Sequence, residues 1–252
     1  MLKIILNGYG GKMGRAICNL AHESNDCEIV AGIDVFMNQQ GVDFPTYSHI
    51  GDCDMSGDVI IDFSIAHAVP DVLHYAVKTQ TPLVLCTTGL SADTLALVEE
   101  SAKQVAILRS DNMTVGINLI ASLLGKVVET LSDSQFDIEI IEKHHNQKLD
   151  APSGTALLLA DVIEKALKEP YKEVYDRSQK REKRSKNEIG IHAVRGGTIV
   201  GEHTVLFAGK DETIEITHSA TSKEVFAVGA FKAAKFLAGK PPGLYNMSHV
   251  MA

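Results

Sequence analysis

A short apolar run, Leu2 to Leu6, ends in the glycine loop Asn7-Gly8-Tyr9-Gly10-Gly11-Lys12-Met13-Gly14-Arg15, and few folds begin this way. The run suits a parallel strand buried on both faces. Ala16 to Glu23 reads as a helix, Glu28 to Ile33 as a second strand, and Asp34 follows 20 residues past Gly14. A strand, glycine turn, helix and strand with an acid at that distance is the unit that holds a dinucleotide. Its glycines let the pyrophosphate approach the helix start, and its acid accepts from ribose hydroxyls. The spacing here is Gly8-x-x-Gly11-x-x-Gly14, whereas the usual spelling would put the third glycine at Met13.

The alternation continues. Val59 to Ser64, Pro82 to Gly89 and Val105 to Leu108 read as strands, and Ala68 to Lys78 and Asp93 to Lys103 as helices. Residues 35–57 lack a period and read as a loop or a short βα passage. Ser110 to Asn118 is a strand-to-helix junction, and Ile117 to Leu131 an apolar helix leaving the first domain. Beyond it, Phe136 to Ile140, Glu188 to Gly197, Thr198 to Phe207 and Thr213 to His218 read as strands, mostly hairpin-connected. Ser222 to Leu237 reads as an amphipathic helix that returns to the first domain. The expected architecture is α/β. A Rossmann-type doubly wound parallel sheet spans 1–114, completed by 223–252. A smaller α+β domain with an open mixed sheet spans 115–222 and serves substrate binding and self-association. Two crossings between domains make a hinge that can exclude water on closure.

With 252 residues the chain has ample length for a core, and a formal charge of −8 argues against nucleic acid or an anionic membrane as partner. Cys18, Cys27, Cys53 and Cys86 have no metal-ligand spacing and suit reduced thiols of a cytoplasmic protein. No apolar run reaches membrane-spanning length. The first six residues are too short for a signal peptide and are expected to start the fold. No metal site is expected.

The most chemically loaded stretch is Glu142-Lys143-His144-His145-Asn146-Gln147-Lys148-Leu149-Asp150-Ala151-Pro152-Ser153-Gly154-Thr155-Ala156. It joins the strand ending near Ile140 to a helix through Ile163. Pro152 suits the first helical turn. The amides of Ser153, Gly154 and Thr155 would then form an anion site. Gly154 lets a ligand approach the backbone, and the Thr155 hydroxyl adds a donor. Lys148 and one imidazole can supply protons. The combination suits protonation of an anionic substrate beside an electron donor.

These residues are similar to the signature of the dihydrodipicolinate reductase family, the 4-hydroxy-tetrahydrodipicolinate reductases, which reads E-x-H-H-x-x-K-x-D-A-P-S-G-T-A. The glycine loop has the family's G-x-x-G-x-M-G spelling, and E-I-G-I-H-A-V-R-G-G and G-E-H-T extend the likeness through residue 204. The resemblance implies reduction of 4-hydroxy-tetrahydrodipicolinate, a cyclic dicarboxylate, to tetrahydrodipicolinate with loss of water, in lysine and diaminopimelate biosynthesis. It implies His144 and Lys148 as proton donors, His145 as a substrate contact, and Gly154 and Thr155 as carboxylate ligands. NADH or NADPH would lie on Gly8, Tyr9, Gly10, Gly11, Lys12, Met13 and Asp34, with the turns Cys86-Thr87-Thr88 and Ser110-Asp111-Asn112-Met113 near the nicotinamide. Cys86 stands where the family writes glycine, and Met113 where it writes an aromatic. Many members carry arginine after the acid, where Val35 stands here, which tilts the expectation toward NADH. A homotetramer built through the second-domain sheet is also implied.

Other readings are a non-catalytic NAD(P) sensor, a dehydrogenase of another anionic imine or amino acid, and an acid/base lyase. Arg195 reads equally as a substrate or interdomain residue and as an ion-pair partner, His203 as structural, and His192 is open. The basic stretch 172–186 reads as a solvated loop.

Overall fold

The structure is a computed structural model, and it describes residues 1–36, 41–131, 136–178 and 180–251. It divides into two compact units, Met1–Val115 with Glu224–Ala252, and Gly116–Lys223.

The first unit is built on seven parallel strands: β1 (Leu2–Asn7), β2 (Cys27–Ile33), β3 (Thr46–Tyr47), β4 (Val59–Asp62), β5 (Leu83–Leu85), β6 (Ala106–Arg109) and β12 (Gly243–Tyr245). Their order is β12-β6-β5-β4-β1-β2-β3, so the chain reverses its direction of winding between β1 and β4. Pleating sends successive side chains to opposite faces. Ile4, Leu6 and Ile61 meet α1 (Lys12–Glu23) and α6 (Glu224–Leu237) on one face. Ile5 and Ile60 meet α2 (Val69–Thr79) and α3 (Ala92–Ala102) on the other. With both faces covered, the strands read as continuous apolar runs. In the stretch without a legible period, β3 adds two residues beside β2; residues 37–40 of that stretch lie outside the described residues.

The glycine loop turns on two residues. Gly8 has φ +82°, and a Cβ there would sit 2.6 Å from the Phe63 carbonyl oxygen. At Gly14 a Cβ would run into the backbone of Gly8 and Tyr9, so the close helix–loop packing asked of the third glycine falls here and not at Met13.

The second unit is a mixed sheet of β7 (Asp137–His144), β8 (Lys172–Val174), β9 (Glu188–Arg195), β10 (Gly201–Ala208) and β11 (Thr213–Ala220), in the order β11-β10-β7-β9-β8. β10 is antiparallel to both β11 and β7, while β9 is parallel to β7 and β8. Ile138, Ile140, Ile191, Val205 and Phe207 line the face that packs against α4 (Val115–Leu131) and α5 (Gly154–Ala166).

The basic stretch is a solvated loop only in part: residues 175–178 and 180–187 form no helix or strand, and Arg181, Lys183 and Lys186 are exposed. Its first residues form the edge strand β8, and its side chains close ion pairs: Arg184 reaches Asp137 at 2.8 Å and Glu139 at 2.9 Å, and Arg177 pairs with Glu188. Arg177 and Arg184 thus answer acids of β7 and β9, Glu139 being shared with His192 at 2.7 Å; residue 179 lies outside the described residues. Gly14→Ala is expected to lower stability by about 1–3 kcal/mol through overpacking. Gly125→Ala, inside α4 where a Cβ meets nothing within 4 Å, is expected to raise it by up to about 1 kcal/mol. Urea denaturation midpoints of the two variants check both signs.

Candidate active site

Strand β7 carries the transition from core to chemistry on a single face. Its alternation buries Ile138 and Ile140, then Glu142 and His144, on the side that faces α5. The Glu142 carboxylate is 0% exposed. A buried charge persists only when paired and hydrogen-bonded. Arg195, on β9 in register with His144, donates to Oε2 and Oε1 at 2.7 Å each, a two-pronged contact. The backbone N–H of Ser153 donates to Oε1 at 3.0 Å, and His144 Nδ1 lies 2.6 Å from Oε2. Burial pushes the carboxyl up, but Arg195, His144 and Ser153 outweigh it and hold Glu142 below the usual range. An ionised carboxylate only accepts, so Nδ1 of His144 carries the proton and Nε2 is left for a ligand. Burial depresses the His144 imidazole; the Glu142 charge opposes this, and Lys148 and Arg195 add to it.

Arg195 also donates to the Asp150 carbonyl at 2.7 Å, which clamps the loop after β7 to the sheet. Within that loop Lys148 Nζ lies 2.8 Å from Asp150 Oδ2, and the lysine holds the Asp150 carboxyl low. Among the described residues, His145 Nδ1 is buried with no hydrogen-bond partner.

The helix start differs from the sequence expectation. Ser153 is the N-cap of α5, its Oγ accepting from Ala156 N–H at 3.2 Å. Pro152 therefore precedes the cap, following a cis peptide, and is not in the first helical turn. The Ser153 amide is taken by Glu142, which removes it from the anion site. Gly154 keeps the expected access: a Cβ there meets nothing within 4 Å. His203 on β10 stands opposite Glu142 in register; its Nε2 is 3.0 Å from Ser153 Oγ and its ring centroid 5.1 Å from that of His144, edge to face. Burial, then the charge of His144, pushes the His203 imidazole down to about 4. His192 lies apart from this group, 2.7 Å from Glu139.

In the first unit, Gly8, Gly11 and Asp34 line a cleft of about 490 Å³ at the carboxyl ends of β1, β2 and β4, with Val35, Phe36, Ile65 and Asp71. Gly11 caps α1 without a side chain, no acid occupies the first turn, and Lys12 and Met13 open the helix, which suits a phosphate. Asp34 accepts from the amides of Gly10 at 3.1 Å and Phe36 at 3.0 Å, so the loop is already tied to the acid. Tyr9 buries its ring in the core against Phe44 and offers a cofactor only its backbone. Cys86 and Thr87 follow β5, with the Cys86 thiol pushed well up by burial. Thr88 is exposed. Ser110 to Met113 follow β6: Asp111 faces Arg109 at 3.3 Å, Asn112 Oδ1 accepts from Thr114 N–H at 2.7 Å, and Met113 is buried.

Sequence reasoning missed Glu142 as the centre of the site. The signal was present: a carboxylate in phase with Ile138 and Ile140 must be buried, and a histidine two residues on shares its face. The partnership with Arg195 lies 53 residues away and has no local signature.

A family model described as dihydrodipicolinate reductase, N-terminus, matches residues 2–113, and one described as dihydrodipicolinate reductase, C-terminus, matches 116–251. A protein from Caldanaerobacter subterraneus called 4-hydroxy-tetrahydrodipicolinate reductase is 51% identical over 251 residues, covering 100% of this chain and 98% of the relative. A protein of the same description from Clostridium tetani is 51% identical over 247 residues, with 98% and 96% covered. In fold, the chain is similar to a dipicolinate-bound dihydrodipicolinate reductase from Paenisporosarcina sp. TG-14, with a TM-score of 0.77, 23% identity, and 98% and 97% of the two chains covered.

His203 generates a pH prediction. Its folded value of about 4 lies below the ordinary 6.5, so between these the unfolded chain binds more protons. The stability it contributes is full above pH 6.5 and is lost as pH falls toward 4, by an amount on the order of 3 kcal/mol. Denaturant titrations at several pH values should show this slope, and His203→Gln should reduce it.

Proposed function

The chain belongs to the dihydrodipicolinate reductase family, and on that premise we propose how its residues carry out the nicotinamide-dependent reduction of 4-hydroxy-tetrahydrodipicolinate to tetrahydrodipicolinate. In this reaction one hydride and one proton enter the ring and one water leaves. A bound reduced nicotinamide supplies the hydride. The protons fall to the turn after β7. Neutral His144, its Nδ1 proton held by Glu142, presents the Nε2 lone pair; it takes a ring proton as the hydroxyl departs and returns it after hydride addition. The Lys148 ammonium gives the departing hydroxyl its proton, and solvent restores it. The substrate's carboxylate lies at the start of α5 against Gly154 and Thr155, and His145 makes a further contact through its unpartnered nitrogen. The observation that carries this reading is the 2.6 Å contact between His144 Nδ1 and a fully buried Glu142, which fixes the imidazole tautomer beside an accessible helix start.

For the cofactor, we favour NADH. Among the described residues no lysine or arginine lines the nucleotide cleft, and Asp34 is an acid that would repel a 2′-phosphate, while Asp71 faces His49 at 3.1 Å. Val35 and Phe36 follow Asp34 where a cation would be needed. Self-association into a homotetramer is assigned to the sheet face opposite the helices, where Ile141 and Leu206 alternate with the buried Ile140 and Val205.

The test couples the preceding condensation of pyruvate and aspartate semialdehyde to nicotinamide oxidation. Oxidation should require the condensing enzyme and run faster with NADH than with NADPH. Lys148→Ala should lower kcat by about 10²–10⁴-fold, the range for a lost proton donor. Wild-type protein that binds NADH yet oxidises none would favour the sensor. A sedimentation mass equal to one chain would sink the tetramer.

A further inference from the structure

A second fully buried carboxylate lies far from the proton-donating turn in sequence and takes no part in the chemistry above. Asp62 ends β4 and is 0% exposed. Its Oδ1 accepts from Asn7 Nδ2 at 2.7 Å, at the end of β1, and from Ser64 N–H at 3.3 Å. Its Oδ2 accepts from the Thr87 hydroxyl at 2.6 Å, just beyond β5. Asn7 and Thr87 are themselves 5% and 7% exposed. One side chain thus ties the carboxyl ends of three adjacent strands, in the row where ligands of such sheets bind. Burial pushes the Asp62 carboxyl up, while Thr87, Ser64 and Asn7 draw it down.

The adenosine cleft accounts for one side of this row only. It runs over β1, β2 and the end of β4, from Gly8 and Asp34 to Ile65. A dinucleotide whose pyrophosphate sits at the start of α1 extends its other half across the remaining ends, β4, β5 and β6. Those ends lead into Ser64, Thr87 and Asn112.

We propose that Asp62 is a positioning residue for the nicotinamide half of the cofactor, acting through Thr87. Because the Thr87 hydroxyl donates its only proton to Asp62, its oxygen is left as an acceptor. The turn Thr87-Thr88-Gly89 then offers lone pairs to a ligand N–H or O–H, such as a carboxamide or ribose hydroxyl, instead of competing as a donor. The inference rests on the nicotinamide reading of the first unit.

Asp62→Asn separates polarity from shape. If the asparagine oxygen keeps Asn7 and Ser64, its NH₂ faces Thr87, which must accept, and the hydroxyl proton turns outward. NADH affinity, read by fluorescence titration, should weaken by roughly tenfold, the scale of one misdirected hydrogen bond. In coupled turnover kcat should fall while the KM for the ring substrate holds. Thr87→Val should match this loss, and Thr87→Ser, which keeps the hydroxyl, should restore it. Wild-type NADH affinity in folded Asp62→Asn and Thr87→Val overturns the proposal. So does a loss that tracks a lowered melting temperature and weakens the ring substrate equally, which marks a structural role alone. Wild-type protein that binds NADH but reduces nothing would remove the reductase reading and leave the binding test of Asp62 standing.

Discussion

The second unit depends on one buried negative charge. An ionised carboxylate in a dry interior costs several kcal/mol unless its lone pairs are met, and removing one partner of such a pair costs about 3–5 kcal/mol. Glu142 is met by a guanidinium, an imidazole and a backbone amide, and each comes from a different place in the chain. Satisfying the charge therefore brings β9, the end of β7 and the start of α5 to one point. The same contacts fix the His144 tautomer, clamp the loop that bears Lys148, and set the start of α5. Stability and chemistry are served by one set of hydrogen bonds, so neither can drift without the other.

The first unit uses the same device with less charge to hand. Among the described residues Asp62 meets no cation, only neutral donors from the ends of β1 and β5 and from its own turn. Here the carboxylate is held by hydrogen bonds alone, which is why burial weighs more heavily on it than on Glu142. The nucleotide loop itself relies on backbone: Gly8 and Gly14 permit the turn and its close packing, and Asp34 ties the loop through amides.

Much of this was legible in the chain. Runs such as Val59 to Ile61 identify strands covered on both faces, because only a doubly covered sheet leaves no polar side. The turn 142–156 declares its chemistry because its residues are adjacent in sequence and the helix start is local. Less was legible where partners are distant. Within the basic run 172–186, Arg177 and Arg184 looked solvated like their neighbours because their acids, Asp137, Glu139 and Glu188, belong to strands that pairing alone brings near. Arg195 was ambiguous for the same reason. Pro152 misled because the cap falls one residue later, at Ser153, whose amide is held by Glu142 of a neighbouring strand and not by anything local.

Sequence by itself determined the doubly wound unit, the mixed-sheet unit and the place of the histidine- and lysine-bearing turn, since periodicity, glycine spacing and contiguous motifs are local properties. Tertiary structure alone decided which charges are buried and who answers them: Glu142 with Arg195 across 53 residues, Asp62 with Asn7 across 55, His203 with Ser153 across 50. Desolvation is a property of the packed interior, and the free energy of a buried charge is fixed only when strands distant in sequence deliver its partners.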